Sequence, residues 1–354
     1  MLGPSPLAKG GISTLVSAYD RHGFLDRWSV AYFVLFNDGS YLRKLALVAA
    51  AVPRFLAMLA TRRVALVHAH TSFNNSFWRK SIFVLPTLLF SRTPVILHFH
   101  GGELARFYGE RSGPIRRFLI RFMLDRASYV VVLSKQLGGA LRRVTDNRNV
   151  VEIENFIDAP ELFEVDGTGS EPIVLFLGQL IPSKGIYELL EAMARVRGDV
   201  PDAQLVCCGE GELEHVSQRI EELNLQKHVV LAGWVTGKVK TDLMARAAVF
   251  VLPSHHEALP FALLEAMAAG KAIVVARVGG VVDVIEDGVD GILIDARDAE
   301  GMAREIVRLL RDRPLRGLMG SRAREKIRAR YSAGSALAKL SRLYQAAGAV
   351  PNER

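Results

Sequence analysis

Short apolar runs alternate with longer segments of helical period along the whole chain. In the first half the runs are Val30–Phe36, Val64–His68, Val95–His100, Tyr129–Leu133 and Val150–Ile153. In the second they are Ile173–Leu177, Gln204–Cys208, Val229–Leu231, Val249–Leu252, Ala272–Val275 and Ile292–Ile294. Many are unbroken Val/Ile/Leu stretches, the pattern of parallel strands covered on both faces. Between them, Ser40–Ala60, Pro114–Arg126, Tyr187–Arg197, Leu213–Asn224, Pro260–Ala269 and Ala299–Arg311 read as helices. The alternation predicts an α/β protein with two doubly wound parallel sheets in series. A stretch rich in Gly, Pro and acids, 159–172, breaks the rhythm, which gives domains over residues 1–160 and 171–334. Only Met1-Leu2 precedes Gly3, so the first strand reads as truncated.

Length and charge sharpen this picture. A chain of 354 residues exceeds one ordinary core, which agrees with two domains. Residues 1–160 hold 21 Lys/Arg against 10 Asp/Glu and the remainder 24 against 27, so a net charge of +8 is +11 in the first domain and −3 after it. A basic first half suits an anionic partner (nucleic acid, a phosphorylated substrate or an anionic membrane surface), and equally a merely solvated surface. The adjacent Cys207 and Cys208 lie in one strand and point to opposite faces, so no disulfide is expected and a reducing cytosol fits. Met1–Pro6 lacks the basic and apolar regions of a secretory signal. The most apolar window, Leu45–Ala60, is short for a spanning helix and carries Pro53 and Arg54, which predicts a buried or interfacial helix.

The segment from Val249 to Gly270 carries most of the chemistry. It reads as a strand, a tight loop, then a helix with Pro260 in its first turn and Gly270 as its stop. The free N–H groups of Phe261 and Ala262 and the helix dipole would form an anion site fit for a diphosphate. Glu257 precedes that helix end and Glu265 lies more than a turn inside it. Two acids would repel a bare phosphate; they suit hydroxyls of a sugar and a ribose flanking a diphosphate. A loop acid and a surface acid fit the spacing as well. Strand alternation puts His98 and His100 on one face, with His100 at the carboxyl end where ligands bind in such sheets, and His68 and His70 are similarly placed. Helical His-x3-His spacing and nearby cysteines are lacking, which argues against zinc.

The segment Pro253-Ser254…Glu257-Ala-Leu-Pro-Phe-Ala-Leu-Leu-Glu265-Ala-Met-Ala-Ala-Gly270 resembles the Glu-x7-Glu signature of retaining glycosyltransferases of family 4, which have the GT-B fold: two Rossmann-like domains facing across a cleft. The likeness runs over nearly the whole chain. Lys9-Gly10-Gly11-Ile12 looks like the family's glycine loop against the donor diphosphate, and His100 matches a histidine lining the transferred sugar. Ile173-Val-Leu-Phe-Leu-Gly-Gln-Leu-Ile-Pro-Ser-Lys-Gly185 resembles the Gly-Arg-Leu…Lys-Gly element that neutralises the leaving diphosphate. Lys184 is present there, and Gln179 stands where the family has arginine. Cys207-Cys-Gly-Glu-Gly211-Glu212 and Leu231-Ala-Gly-Trp234-Val235 resemble the turns that hold ribose and base, although Trp234 could equally be a packing residue. Asp283 stands in place of the family's glutamate. In this fold the last helix, read here over Tyr331–Ala347, crosses back to the first domain, so residues 335–354 are assigned there.

The resemblance implies transfer of a hexose-type sugar from a UDP- or GDP-linked donor to an acceptor hydroxyl with retention. His100, Lys184 and Glu257 are the expected catalytic residues. Gly10, Gly11, Gln179, Gly211, Trp234, Val235, Pro260, Phe261, Ala262 and Glu265 are the expected donor contacts. No Asp-x-Asp element stands in a suitable loop, so no metal and no further cofactor is expected. The implied acceptor is a saccharide, polyprenyl-diphosphate-linked, of an exopolysaccharide pathway. Arg116, Arg117 and Arg121 on Pro114–Arg126, with Phe118 and Phe122 buried, could face an anionic membrane. That implies a cytoplasmic protein peripheral on the inner face of the membrane, whereas a core helix with a basic outer face fits as well. Rival readings keep the fold as an epimerase or phosphorylase, or make the chain a non-catalytic sugar-nucleotide or nucleic-acid binder. Against nucleic acid stands the lack of any aromatic-interleaved basic stretch.

Overall fold

A computed structural model describes every residue except Asp38, Ser40, Arg62, Ser170, Glu353 and Arg354, with Tyr41 described by its backbone alone. The first residue of the expected Ser40–Ala60 helix, Ser170 of the 159–172 stretch and the last two residues of 335–354 thus lie outside the described residues. The chain forms two compact units, one of residues 1–156 together with the C-terminal segment from Ala333, the other Ile157–Ser332.

The first unit holds a six-stranded sheet in the order β2-β1-β3-β4-β5-β6. The strands are β1 (Leu2–Pro4), β2 (Phe33–Phe36), β3 (Val67–Thr71), β4 (Val95–Phe99), β5 (Tyr129–Val132) and β6 (Val150–Glu152), all parallel. β1 is three residues long and lies inside the sheet between β2 and β3. That length explains why β2 starts at Phe33 and not at Val30: Leu2, Gly3 and Pro4 offer partners only to Phe33, Val34 and Phe36. β3 lies later than the apolar run suggests, because the polar residues after it stay in register with β4 as far as Thr71 opposite Phe99. The core beneath is aromatic, with Phe33, Phe55 and Phe83 in edge-to-face contact.

The second unit repeats the plan in the order β12-β11-β10-β7-β8-β9. Its strands are β7 (Ile173–Leu177), β8 (Gln204–Cys208), β9 (Val229–Leu231), β10 (Val249–Leu252), β11 (Ala272–Ala276) and β12 (Ile292–Ile294). All residues of the central β7, β10 and β11 are buried, as unbroken apolar runs require. Both cysteines are free and buried in β8.

Two segments differ from the pattern reading. The stretch 159–172 is no bare linker. It holds a short helix, Pro160–Phe163, and its carbonyls are held by cations of the second unit. The fully buried Lys271 donates to the Asp166 and Ala247 carbonyls, Arg324 to Val165 and Arg316 to Thr168. Gly, Pro and acids here mark an irregular backbone whose polar groups must be met by side chains. The second difference is small: the helix expected over Tyr331–Ala347 is present but starts two residues later, at Ala333. One helix ends at Arg330 and the next spans Ala333–Ala346. Between them the Tyr331 carbonyl accepts from Ile157 N–H and Ser332 is bridged to Ile157.

Candidate active site

In the second unit the predicted residues gather at the carboxyl ends of β7, β8 and β10. Past β7, Pro182–Lys184 form one 3-10 turn, and Gly185 leaves it at φ 72°. Any Cβ at Gly185 would overlap the Pro253 carbonyl, so glycine is required where this turn meets the loop after β10. His255 N–H donates to Ser183 O, and its ring pairs with Glu188 at 3.0 Å, which ties the two loops together. The result is close contact between predicted residues 73 positions apart: Lys184 Nζ lies 2.5 Å from Glu257 Oε1. Glu257 is buried, its side chain 10% exposed, and Lys184's is 26% exposed. An ammonium carries three N–H donors and a carboxylate several acceptor positions, so each keeps capacity for a ligand.

The turn after β11 closes over this pair. Gly279, at φ 48°, packs so tightly on Glu257 that a Cβ would overlap the Glu257 carbonyl oxygen, which also accepts from Gly280 N–H. The Gly-Gly pair therefore fixes the backbone that presents Glu257. Asp283 ends the 3-10 turn that this pair opens, Gly279–Asp283.

The helix after Glu257 runs Phe261–Ala268, with Pro260 as its N-cap and no capping side chain. Its first N–H groups, those of Phe261 and Ala262 included, have no carbonyl one turn earlier and face outward from the helix end. Glu265 sits in the second turn, and Lys240 Nζ lies 2.6 Å from its Oε1. Lys240 was not foreseen: it belongs to Gly237–Arg246, a polar helix whose pattern gives no reason to single out one lysine. The segment leading into that helix holds Trp234 and Val235. Trp234 is 42% exposed, which removes the core-packing reading of this side chain. Gln179 is exposed at the end of β7, and next to it Leu180 exchanges backbone bonds with Glu210 and Glu212 across Gly211. The two glycine turns after β7 and β8 thus form one surface.

In the first unit Gly10 and Gly11 open the helix Gly11–Arg21. The four histidines cluster, because register puts His70 opposite His98 on neighbouring strands. His70 Nδ1 bonds His100 Nε2 at 2.9 Å, His68 Nε2 bonds His98 Nδ1 at 3.2 Å, and His68 Nδ1 bonds Tyr344 Oη at 2.8 Å. Burial pulls all four imidazoles below the ordinary histidine range, His98 to about 3, so they are neutral at pH 7 and act as hydrogen-bond groups. Ligating atoms of His68, His70 and His98 lie within 4.8 Å of one another. Parallel strand pairing thus assembles a cluster that helical spacing rules could not reveal. Tyr344 comes from the last helix, Ala333–Ala346, which belongs to this unit.

On Pro114–Arg126 the buried face is Ile120, Met123 and Leu124, while Phe118 is 66% exposed and Phe122 half-buried, contrary to the expectation that both are buried. The arginines there already have partners: Arg117 donates to the Tyr108 carbonyl, Arg121 pairs with Asp146, and Arg116 lies over Trp78. Among the described residues no helix is long and apolar enough to cross a membrane.

Two family models match in tandem, a glycosyl transferase 4-like domain over residues 14–155 and glycosyl transferases group 1 over 158–326. Among curated relatives, N-acetyl-alpha-D-glucosaminyl L-malate synthase of Bacillus anthracis is 26% identical over 290 residues, 79% of this chain and 74% of that protein. Phosphatidyl-myo-inositol mannosyltransferase of Mycolicibacterium smegmatis is 33% identical over 200 residues, 56% of this chain and 50% of that one. Among solved structures, sucrose-phosphate synthase from Thermosynechococcus elongatus has a TM-score of 0.79 at 20% identity, covering 97% of both chains. HepE of Anabaena, solved with UDP and glucose, has a TM-score of 0.76 at 19% identity, covering 97% of this chain and 98% of that one. The chain is a glycosyltransferase of the GT-B fold, a 4-like first half joined to a group 1 second half.

Proposed function

We propose that the protein moves a hexose-type sugar from a nucleoside diphosphate donor to an acceptor hydroxyl, with retention at the anomeric carbon. The observation that carries this reading is the contact of Lys184 with Glu257 beside the N-terminus of Phe261–Ala268. One cation, one carboxylate and a row of free N–H groups together suit a sugar joined to a diphosphate better than either part alone. The helix end and the two remaining ammonium donors of Lys184 face the diphosphate, Glu257 accepts from sugar hydroxyls, and Glu265 accepts from ribose. Lys240 holds Glu265 until ribose arrives. As the C1–O bond to the diphosphate breaks, its electron pair goes to the leaving oxygen, where the ammonium and helix N–H groups stabilise the growing charge. The acceptor oxygen bonds C1 on the same face and passes its proton to the departing diphosphate. Gln179 supplies an amide donor where an arginine would supply charge. The acceptor is a lipid-linked saccharide, held by a basic first unit that associates peripherally with the inner face of the membrane. No metal takes part in this scheme.

The test is sugar transfer to an added saccharide acceptor, with the product's anomeric configuration read by NMR. Donor isomerisation or phosphate-dependent cleavage without transfer would favour the epimerase or phosphorylase rival, and inversion would refute retention.

A further inference from the structure

The buried histidines of the first unit leave two nitrogens over, and these decide where the protons sit. Among the described residues, His70 Nε2 and His98 Nε2 are sealed from solvent without a hydrogen-bond partner. A neutral imidazole carries one N–H, a donor, and one bare nitrogen, an acceptor. In folded proteins a buried N–H without an acceptor is the rarer defect and an under-satisfied acceptor the commoner one. The bare nitrogen therefore falls on Nε2 in both rings, and the proton on Nδ1. His70 Nδ1–H then donates to His100 Nε2 across 2.9 Å. With its Nε2 accepting, a neutral His100 carries its own proton on Nδ1. The opposite assignment makes His100 the donor and strands the His70 proton on a nitrogen with nothing to meet it. His98 obeys the same rule: its Nδ1–H donates to His68 Nε2, and His68 Nδ1–H to Tyr344 Oη at 2.8 Å. Both chains close without conflict, although free histidine favours the proton on Nε2.

His100 differs from the other three. His68, His70 and His98 are no more than 1% exposed, whereas His100, one residue past β4, is part-open, its backbone N–H held to Thr71 O at 2.8 Å. Its Nδ1 is neither bonded to a described residue nor among the sealed nitrogens. A ring anchored through Nε2 thus keeps Nδ1 for a ligand. We propose that His70 is a positioning residue: it holds His100 in the Nδ1–H tautomer, so that His100 meets the transferred sugar as a hydrogen-bond donor and not as a base. The sugar contact rests on the proposed function, whereas the tautomer rests on the fold of the first unit. A donor N–H suits a sugar hydroxyl oxygen, and a tautomer without a bare nitrogen toward the ligand leaves the acceptor's proton to the departing diphosphate. A neutral donor also brings no positive charge to a sugar carbon that is losing its leaving group.

The experiment is long-range proton–nitrogen NMR at pH 7 on the full chain, isotopically labelled in its histidines, which tells an Nδ1–H ring from an Nε2–H ring by its cross-peak pattern. The His100 signals are those missing from His100→Asn. Wild type should show His100 as Nδ1–H. His70→Phe takes the donor away and should return His100 to a mixture led by Nε2–H. His70→Asn keeps an amide donor at the place of Nδ1 and should keep the wild-type pattern. Single-turnover transfer from a UDP-sugar should fall about three- to tenfold in His70→Phe, the scale of one neutral hydrogen bond, and stay within about twofold in His70→Asn, with UDP affinity unchanged in both. An Nε2–H pattern for His100 in wild type overturns the proposal. So does an Nδ1–H pattern that survives in His70→Phe while melting temperature and turnover fall together, the behaviour of a merely structural histidine. Should His70→Phe not fold, the wild-type and His70→Asn spectra decide. If the tautomers behave as expected but wild type binds neither UDP nor GDP and transfers no sugar, the proposed function fails and the setting of His100 by His70 stands.

Discussion

Replacing Lys184 by methionine removes the cation that, among the described residues, pairs with Glu257. The two side chains are 26% and 10% exposed and 2.5 Å apart, so the pair is neither a surface bridge nor a sealed one. Deleting one partner of a fully buried pair costs about 3–5 kcal/mol, and exposed pairs contribute less than about 1 kcal/mol. Lys184's partial exposure puts the expected loss near 2 kcal/mol, or roughly 4–8 °C in melting temperature for a unit of this size. Glu257→Gln should lose less, because the ammonium left behind reaches solvent more easily. If Lys184 only holds Glu257, turnover per folded molecule well below the melting temperature should stay close to wild type. If its charge also meets the leaving diphosphate, turnover should fall by about 10²–10³, the usual effect of removing one donor aimed at developing charge. Calorimetric melting and single-turnover transfer from a UDP-sugar, measured on Lys184→Met, Lys184→Arg and Glu257→Gln, separate the two contributions. Turnover within a few-fold of wild type in Lys184→Met, despite a lower melting temperature, would refute the catalytic role.

Gly279→Ala should lower both melting temperature and turnover, since its Cβ would displace the Glu257 carbonyl at a backbone conformation that favours glycine; calorimetry and the transfer assay check it. Lys80 is the unusual case of a lysine with a depressed folded-state pKa, about 7 against 10.5. Below pH 7 it is charged in both states and the cost of its burial is complete; as pH rises from 7 to 10.5 the folded state gives up its proton first and the cost fades. The stability advantage of Lys80→Met, on the order of a few kcal/mol, should therefore be greatest below pH 7 and shrink toward pH 10.5 in denaturant titrations. The protein should bind anionic vesicles less tightly as salt rises. With Ile115 and Phe118 exposed beside the arginines, Phe118→Ser should reduce flotation as much as changing Arg116, Arg117 and Arg121 to Glu; if neither matters, this helix is not the membrane contact.

The second sheet was legible because its strands are buried on both faces, so Ile173–Leu177 and Val249–Leu252 appear as unbroken apolar runs. The helix after Glu257 was legible from Pro260 and Gly270, residues whose backbone preferences mark helix ends. β3 lies later than its apolar run for a physical reason: His68, His70 and Thr71 look like the end of a strand, yet each is buried, with His68 bonding His98 and His70 bonding His100 on the neighbouring segment. Pairings between distant side chains were out of reach. Nothing in the helical period of Gly237–Arg246 distinguishes Lys240, 25 positions from Glu265, from Lys238, which pairs with Asp242 on its own helix. Arg79 and Lys80 are adjacent cations on a helix, a pattern that usually means solvent, and only the fold buries Lys80.

The central claim is that the second unit grips a nucleoside diphosphate sugar through separate duties of two acids, and nucleotide binding tests it most directly. Calorimetry with UDP and with GDP in excess chelator should show binding of at least one by wild type. Glu265→Gln should weaken it about ten- to hundredfold, the scale of a lost charged hydrogen bond of roughly 1.5–3 kcal/mol. Glu257→Gln should leave free nucleotide affinity nearly unchanged, since its partner is the sugar. Binding of neither nucleotide, or equal loss in both variants tracking a fall in melting temperature, would contradict the account.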